Sequence, residues 1–346
     1  MPAVVPTSDF QPHPYLRGGH AQTLAGVYLP WPYEAYCAQQ HSMPLDDGDT
    51  LVLHEDRPAE LAAGAPSVLL VHGLGGCHRS AYMRRISQKL RDRGAWVWRL
   101  DLRGCGAGEQ LARSGTHCGR WGDVRQAVEF VSRAIGDHPL HLVGFSLGGS
   151  HSLHVAADQG NTRIGNLASL LAVSPPVDLR AVEVRLNQPT GRPYDRHFLK
   201  TMWREFCQRA KRFHDAPWVE LARAPRRLRE FDDQVTAPLA GYRDAEDYYT
   251  RTSVGPRLSE IRIPTRVITA ADDPIVPAEP LVCFARATRV EVQVTKNGGH
   301  LGFVGRRGQD PDRRWIDWRV IDWVLKQKTQ RVAAPIAPKL LATSAA

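Results

Sequence analysis

The chain has 346 residues, of which 42% are hydrophobic and 23% are charged, and its formal net charge is +9. This length suits one large domain with an insertion, and the composition excludes a disordered or fibrous protein. The positive charge predicts a solvated basic surface. Nucleic-acid binding is disfavoured, because the sequence has no zinc-finger spacing, no RNA-binding aromatic motif and no long Lys/Arg run.

Cysteine usage and the N-terminal sequence indicate where the protein works. The six cysteines are scattered without a C-x-x-C pair, which favours reduced thiols over a disulfide framework. The first ten residues include two prolines and no basic, apolar signal sequence, and no apolar run has the length of a membrane span. We therefore expect a soluble, cytoplasmic protein.

Short apolar segments alternate with helical patterns along most of the chain. Buried strands are predicted at residues 67–71, 96–100, 141–145, 168–173, 266–269 and 290–294. Amphipathic helices are predicted around residues 83–90, 124–131 and 315–325. This alternation predicts an α/β fold, with a mostly parallel, doubly wound sheet covered by helices on both faces.

One long stretch interrupts the alternation. Between residues 176 and 261 helical patterns recur without a clear buried strand, which predicts a helical cap over one edge of the sheet. Phe198, Met202 and Phe206 share one face of a helix in this stretch. We expect the cap to cover the functional site, with Phe198, Met202 and Trp203 binding substrate. A helical decoration without a role at the site is the alternative.

The predicted organisation has five segments. They are an irregular N-terminal arm (1–36), the first part of the core (37–175), the helical cap (176–261), the second part of the core (262–326) and a flexible Ala/Pro-rich tail (327–346).

A serine follows the third predicted strand, in the sequence Gly144-Phe145-Ser146-Leu147-Gly148. Small residues two positions before and after Ser146 let the backbone make a tight strand-to-helix turn, which projects the hydroxyl above the sheet. The turn also places Ser146 at a helix N-terminus, where developing negative charge is favoured. A glycine-rich turn without catalysis is the alternative, but the surrounding strand and helix favour Ser146 as a nucleophile.

An acid and a histidine follow in the chain order that this nucleophile requires. Asp272 and Asp273 come after the fifth predicted strand, and His300 comes after the sixth. We predict His300 as the general base. The register of the loop, with Ala270 and Pro277 as flanking positions, favours Asp273 as the acid that orients the imidazole. Asp272 is the alternative, and its other role would be to cap the turn.

A glycine-rich turn, His72-Gly73-Leu74-Gly75-Gly76, follows the first predicted strand. We expect the backbone N–H groups of Leu74 and Leu147 to form an oxyanion hole. A phosphate-binding turn is the competing interpretation, but neither G-K-[ST] nor G-x-G-x-x-G spacing is present, so nucleotide binding is disfavoured. Metal-ligand spacing is also absent near Ser146, so we expect no metal site.

Six short motifs lie between Gly19 and Trp323. They are Gly19-His20-Ala21-Gln22-Thr23-Leu24, His72-Gly73-Leu74-Gly75-Gly76, Leu102-Arg103-Gly104-Cys105-Gly106, Gly144-Phe145-Ser146-Leu147-Gly148-Gly149, Ala271-Asp272-Asp273-Pro274 and Gly298-Gly299-His300-Leu301-Gly302-Phe303. Jointly they resemble the motifs of the YheT-type α/β-hydrolases. That branch includes bacterial YheT proteins, plant embryogenesis-associated proteins, yeast medium-chain ethyl-ester synthases and animal ABHD-type phospholipases. The stretch Arg113-Ser114-Gly115-Thr116-His117 departs from the family's pattern, which concerns substrate details rather than catalysis.

The resemblance implies an α/β-hydrolase fold and carboxylic-ester hydrolysis or acyl transfer, often on medium acyl chains, without a cofactor. We therefore expect a serine esterase that acts through an acyl-enzyme on short- to medium-chain acyl esters. Its partner would be a small-molecule ester or a lipid, and the basic cap would make weak contact with a membrane surface. The alternatives are an acyltransferase that makes medium-chain esters and a non-catalytic binding protein. The sequence leaves the oligomeric state open.

Overall fold

The computed structural model describes residues 4–5, 10–35 and 37–326. Within these residues, nine strands form a single sheet. In chain order they are β1 (Val4–Val5), β2 (Gln39–Pro44), β3 (Thr50–Asp56), β4 (Ser67–Val71), β5 (Trp96–Asp101), β6 (Leu140–Phe145), β7 (Leu167–Val173), β8 (Thr265–Ala270) and β9 (Glu291–Thr295). Across the sheet their order is β1-β9-β8-β7-β6-β4-β5-β3-β2.

The sheet is parallel from β1 to β5, and β3 and β2 pair antiparallel at one edge. The six predicted strands correspond to β4 through β9, so the predicted doubly wound, mostly parallel sheet is confirmed. Strands β4, β5 and β6 are buried along their whole length, as expected for strands covered on both faces. The edge pair β2 and β3 was not predicted.

Helices connect the strands and cover the sheet. They are α1 (Gly19–Tyr28), α2 (Ala81–Arg91), α3 (Trp121–Ile135), α4 (Leu147–Gln159), α5 (Leu179–Asn187), α6 (Arg192–Arg212), α7 (Leu228–Phe231), α8 (Ala237–Leu239), α9 (Ala245–Thr252), α10 (Glu279–Ala285) and α11 (Trp315–Lys326). A π-helical segment (Asp232–Thr236) joins α7 to α8, and short 3-10 turns occur at Gly106–Gly108 and Gly255–Glu260. None of the helices in the described part of the chain combines the length and the apolar character that a membrane span requires.

The hydrophobic core has two layers, one on each face of the sheet. Successive residues of β4 alternate between them because side chains of a strand point to opposite faces. Leu69 and Val71 pack in the layer that contains residues of α3 and α4. Val68 and Leu70 pack in the layer that contains residues of α2 and α11. The sheet is therefore fixed from both sides, which gives a rigid base to the loops at its edge.

The stretch predicted to form a cap contains helices α5 to α9, which follow β7 and precede β8. These helices have small apolar clusters of their own. Phe206, Phe231 and Val235 form one cluster, with Trp203 packed against it. Leu186 of α5 packs with residues of the loop after β8. The cap is thus attached to the core through its own contacts.

We expected an irregular N-terminal arm. The structure differs from this prediction, because part of the arm forms helix α1. Tertiary contacts stabilise this helix more than its sequence does, since glycines occupy two of its ten positions and lower its intrinsic propensity. Gln22 is fully buried, and its side chain exchanges hydrogen bonds with the backbone of Val304. The predicted flexible tail, residues 327–346, lies outside the described residues.

Buried charges join α2 to α11. Asp317 accepts hydrogen bonds from Arg85 Nε at 3.0 Å and from Lys89 Nζ at 2.9 Å, and the carboxylate is completely buried. Removing Asp317 would leave Arg85 charged and without a carboxylate partner in a medium of low polarity, whereas Lys89 would keep its ion pair with Asp312 at 2.7 Å.

We predict that Asp317→Ala lowers the free energy of unfolding by about 3–5 kcal/mol, measured by urea denaturation. Asp322→Ala on the same helix is the matched control. The Asp322 side chain is 48% exposed and its ion pair with Arg319 spans 3.4 Å, so its loss should cost less than about 1 kcal/mol. Equal effects of the two substitutions would contradict the importance of the buried network.

Candidate active site

Ser146 lies on the tight turn between β6 and α4, and its backbone has a φ of +51°. This left-handed conformation is unfavourable for a residue with a side chain, so the surrounding packing must enforce it. A Cβ at Gly144 would lie 2.4 Å from the carbonyl oxygen of Gly148, and a Cβ at Gly148 would lie 2.5 Å from that of His72. Only glycine fits at these two positions, which explains the spacing seen in the sequence.

The structure brings Ser146, His300 and Asp273 together. The Ser146 Oγ lies 2.9 Å from His300 Nε2, and His300 Nδ1 lies 2.8 Å from Asp273 Oδ2. Asp273 is 1% exposed, and its Oδ1 accepts backbone hydrogen bonds from Ile275 and Val276 at 2.8 and 2.9 Å. With Nδ1–H donating to the carboxylate, Nε2 is free to accept the serine proton.

Asp272 has a different set of contacts. Its Oδ1 accepts a hydrogen bond from the backbone N–H of Gly299 at 2.9 Å, and its Oδ2 accepts one from Asn297 at 3.3 Å. Asp272 therefore braces the loop that carries His300 and does not touch the imidazole.

Helix α1 supports the same loop from the other end of the chain. The backbone N–H of His300 donates to Thr23 Oγ1 at 2.9 Å, and the Gln22 Oε1 accepts from Val304 N at 2.7 Å. The sequence alone did not predict that Thr23 and Gln22 position the loop of His300. The motif that begins at Gly19 was the available signal, but nothing in its local pattern shows which loop it contacts.

The glycine-rich turn after β4 is fixed by buried hydrogen bonds. His72 Nδ1–H donates to the carbonyl of Gly73 at 2.7 Å, and His72 Nε2 accepts from Leu102 N at 3.1 Å. Burial lowers the pKa of His72, which agrees with a neutral imidazole that donates at one nitrogen and accepts at the other. The Tyr82 hydroxyl accepts a hydrogen bond from Gly73 N at 3.0 Å.

This turn lies directly against the serine. A Cβ at Gly73 would lie 3.0 Å from the Cβ of Ser146, so a side chain there would press on the serine. Leu74 follows at once and, with Ser146 and Leu147, lines the same cavity. Among the residues that the structure describes, the N–H groups of Leu74 and Leu147 have no protein acceptor. Both are thus available to an oxygen bound beside Ser146.

His54, His78 and Asp101 form a buried group of metal-ligand type within the described residues. Asp101 Oδ2 accepts hydrogen bonds from His54 at 2.9 Å and His78 at 2.7 Å, and Oδ1 accepts from His78 N at 2.6 Å. Burial opposes ionisation of Asp101, but the hydrogen bonds from His54 and His78 outweigh it and lower the pKa. Both carboxylate oxygens are occupied by protein donors, so the geometry favours an anchor for the segment after the glycine-rich turn.

A cavity opens onto Ser146 beneath the cap. Its wall is mostly apolar and includes Leu147, Leu179, Val182, Leu186, Phe198, Met202, Leu228, Ile275 and Val276. Two of the three cap residues predicted to bind substrate, Phe198 and Met202, therefore line it. Trp203 instead packs against Phe206 and Phe231, with ring centroids 5.8 and 6.5 Å apart. We call this space the acyl cavity.

Two titratable groups in the wall of the acyl cavity have shifted pKa values. Burial raises the pKa of Asp232 to about 6, although hydroxyl donors at Tyr249 and Thr236 oppose the shift. Burial, reinforced by the charge of Arg120, lowers the pKa of His117 to about 3. The His117 imidazole is therefore uncharged at neutral pH.

A second, open groove also reaches Ser146 and His300. One side is formed by α1, where Leu24, Val27 and Tyr28 are 51%, 61% and 77% exposed. The Ser146 hydroxyl is therefore accessible both from the covered acyl cavity and from this open groove.

Comparisons with known proteins agree on one family. Residues 66–306 match the family model described as alpha/beta hydrolase fold. The chain is 31% identical to "Putative esterase YheT" of Escherichia coli (strain K12), over 82% of this chain and 83% of that protein. It is 29% identical to a monoacylglycerol lipase of Saccharomyces cerevisiae, over 72% of this chain and 57% of that protein. The solved structure of Est1E from Butyrivibrio proteoclasticus with ferulic acid has a TM-score of 0.55 at 16% identity. The match covers 84% of this chain and 100% of that one, and it shows a common fold.

Proposed function

Because the chain belongs to the YheT-type branch of the α/β-hydrolase family and is a carboxylic-ester hydrolase, we propose that it works through an acyl-enzyme on Ser146. The observation that carries the proposal is the 2.9 Å contact between Ser146 Oγ and His300 Nε2. Asp273 behind the imidazole, at 2.8 Å, completes an arrangement that activates a serine hydroxyl.

In the first half of the reaction, Ser146 Oγ attacks the ester carbonyl while His300 Nε2 takes the hydroxyl proton. Asp273 accepts the Nδ1–H hydrogen bond and stabilises the imidazolium. The carbonyl oxygen becomes an oxyanion that accepts hydrogen bonds from the N–H groups of Leu74 and Leu147. The bond to the alcohol oxygen then breaks, and His300 returns its proton to the leaving alcohol.

In the second half, water attacks the acyl-enzyme. His300 takes a proton from the water, the bond between Ser146 and the acyl group breaks, and the proton returns to the serine oxygen. The products are a carboxylic acid and the free enzyme. No cofactor takes part in these steps.

The two spaces beside Ser146 support a division of the substrate. The apolar wall of the acyl cavity, with Phe198 and Met202, suits a short- to medium-length acyl chain. The open groove beside α1 suits the leaving alcohol, which must depart before water enters. A small-molecule ester or a lipid ester fits this arrangement.

Ser146→Ala should lower kcat for p-nitrophenyl ester hydrolysis on the order of a millionfold, because no other group can form the acyl-enzyme. Ser259→Ala, at an exposed serine, is the control and should leave kcat unchanged. Thermal unfolding of both variants checks that the fold is intact. A folded Ser146→Ala protein that kept about a tenth of wild-type turnover would refute the assignment.

The two neighbouring aspartates should differ sharply. Asp273→Asn is expected to lower kcat about ten-thousandfold, because the amide would favour the wrong imidazole tautomer. Asp272→Asn should cost at most about tenfold, since the amide oxygen can still accept from the backbone of Gly299. Steady-state kinetics on one ester would measure both, and penalties in the reverse order would show that the acid was misassigned.

A chain-length series of p-nitrophenyl esters tests the acyl cavity. We expect kcat/KM to rise from acetate by roughly tenfold per two carbons, because each buried methylene contributes about 0.8 kcal/mol, and to fall once the cavity is full. Phe198→Ala should move the maximum to longer chains. Trp203→Ala is the paired control, which should lower the melting temperature and leave the maximum in place. If acetate were the best substrate and rates fell steadily with length, the acyl cavity would be misassigned.

A further inference from the structure

A second cavity lies next to the acyl cavity. The two share Leu74, His117 and Met202 in their walls. The second cavity differs in charge, because Arg113, Arg120 and Arg209 contribute to its lining. We call it the basic chamber.

Arg209 of α6 is the unusual member of this group. The buried Arg85 and Arg99 pair with the carboxylates of Asp317 and Asp56, and the buried Arg314 donates to the backbone carbonyls of Ala25 and Leu29. Within the described residues, the partly buried Arg209 side chain makes neither an ion pair nor a hydrogen bond. Glu205, one helical turn away, attracts Arg209 but forms no ion pair with it.

The guanidinium of Arg209 lies in a space bordered by two glycines. A Cβ at Gly115 would lie 2.4 Å from Arg209 Nη2, and a Cβ at Gly104 would lie 3.1 Å from Nη1. The two glycines therefore leave the space that the guanidinium occupies. Any larger residue at position 115 would displace it.

Other polar side chains in the basic chamber also have atoms without a hydrogen-bond partner within the described residues. Arg120 Nε and Thr116 Oγ1 are buried without a hydrogen-bond partner in the described part of the chain. Arg113 pairs with Asp215 on an exposed part of the surface. Glu205 is the carboxylate among the lining residues, and burial raises its pKa. The lining therefore carries three arginines and one carboxylate. Arg113 and Arg120 each have an acidic partner outside the lining, Asp215 and Asp47, which leaves Arg209 as the arginine without one among the residues that the structure describes.

We propose that the basic chamber binds an oxyanion at the far end of the acyl chain, a carboxylate or a phosphate, with Arg209 as its main contact. The proposal rests on the proposed function, because it assigns the chain attached to the Ser146 acyl group. Arginine forms forked, charge-assisted hydrogen bonds to such groups. The flexible Met202 side chain, common to both cavities, lets a chain pass from the apolar space towards the arginines.

The test compares two matched ester series on the purified full chain. One contains p-nitrophenyl half-esters of dicarboxylic acids, and the other contains p-nitrophenyl esters of monocarboxylic acids of equal carbon number. Arg209→Gln should lower kcat/KM for the half-esters about tenfold or more, because it removes a charge-assisted hydrogen bond. The neutral esters should change by less than about twofold. Arg196→Gln, at an exposed position of the same helix, should leave both series unchanged.

Gly115→Ala gives a second variant that keeps every charge. Its Cβ would push the Arg209 guanidinium aside, so the same selective loss on half-esters is expected. Equal losses on both series in Arg209→Gln and Gly115→Ala would overturn the proposal. So would a loss in Arg196→Gln as large as that in Arg209→Gln, which would indicate only a long-range field.

A melting-temperature measurement distinguishes a substrate acyl chain bound in the basic chamber from a free ion bound there. Inorganic phosphate could raise the melting temperature of the wild type relative to chloride at equal ionic strength, and Arg209→Gln could abolish this effect. If, in addition, Arg209→Gln caused no selective loss on the half-esters, the occupant would be a free oxyanion and the proposal would fail. Turnover of neutral esters by the wild type reports on the proposed function separately. Absence of that turnover would contradict the serine mechanism, whereas an unchanged ratio of the two series would contradict only the assignment of the basic chamber.

Discussion

The left-handed backbone of Ser146 is the constraint on which the rest of the site depends. Such a conformation costs of the order of 1–3 kcal/mol and persists only where its surroundings leave no alternative. Here Gly144 and Gly148 pack so closely around the turn that a Cβ at either position would meet backbone within 2.5 Å. The contact between Gly73 and Ser146 then fixes the glycine-rich turn after β4 relative to the Ser146 hydroxyl. One tight turn thus positions both the proposed nucleophile and the N–H groups proposed to bind the oxyanion.

The loop that carries His300 depends on distant parts of the chain. Leu301 and Phe303 both have positive φ values, +61° and +42°, so the loop stores strain and needs external hydrogen bonds. Thr23 supplies one of them across 277 residues of sequence, and Asp272 supplies another to Gly299. Helix α1 therefore helps to position His300, although the two are far apart in the sequence.

Local sequence patterns were sufficient where local physics decides the structure. Strands buried on both faces appear as continuous apolar runs, and the turn at Ser146 needs glycines at fixed spacing, so both could be predicted. Strands β2 and β3, the antiparallel pair at one end of the sheet, were missed because their polar residues conceal the pattern. Glu55 on β3 is buried, for example, because Trp96 donates a hydrogen bond to it at 2.8 Å. Helical spacing likewise identified the apolar face of α6, but only tertiary packing shows that Trp203 contacts Phe231 and not the acyl cavity.

Covalent labelling would show whether Ser146 is an activated nucleophile, as we propose. A fluorophosphonate reacts with an activated serine and leaves a stable phosphonyl adduct that intact-mass and peptide mass spectrometry can locate. We expect one adduct per chain, on the peptide that contains Ser146, and much slower labelling when His300 is replaced by alanine. Absence of an adduct on the folded wild-type protein, or an adduct on another residue, would contradict the proposal.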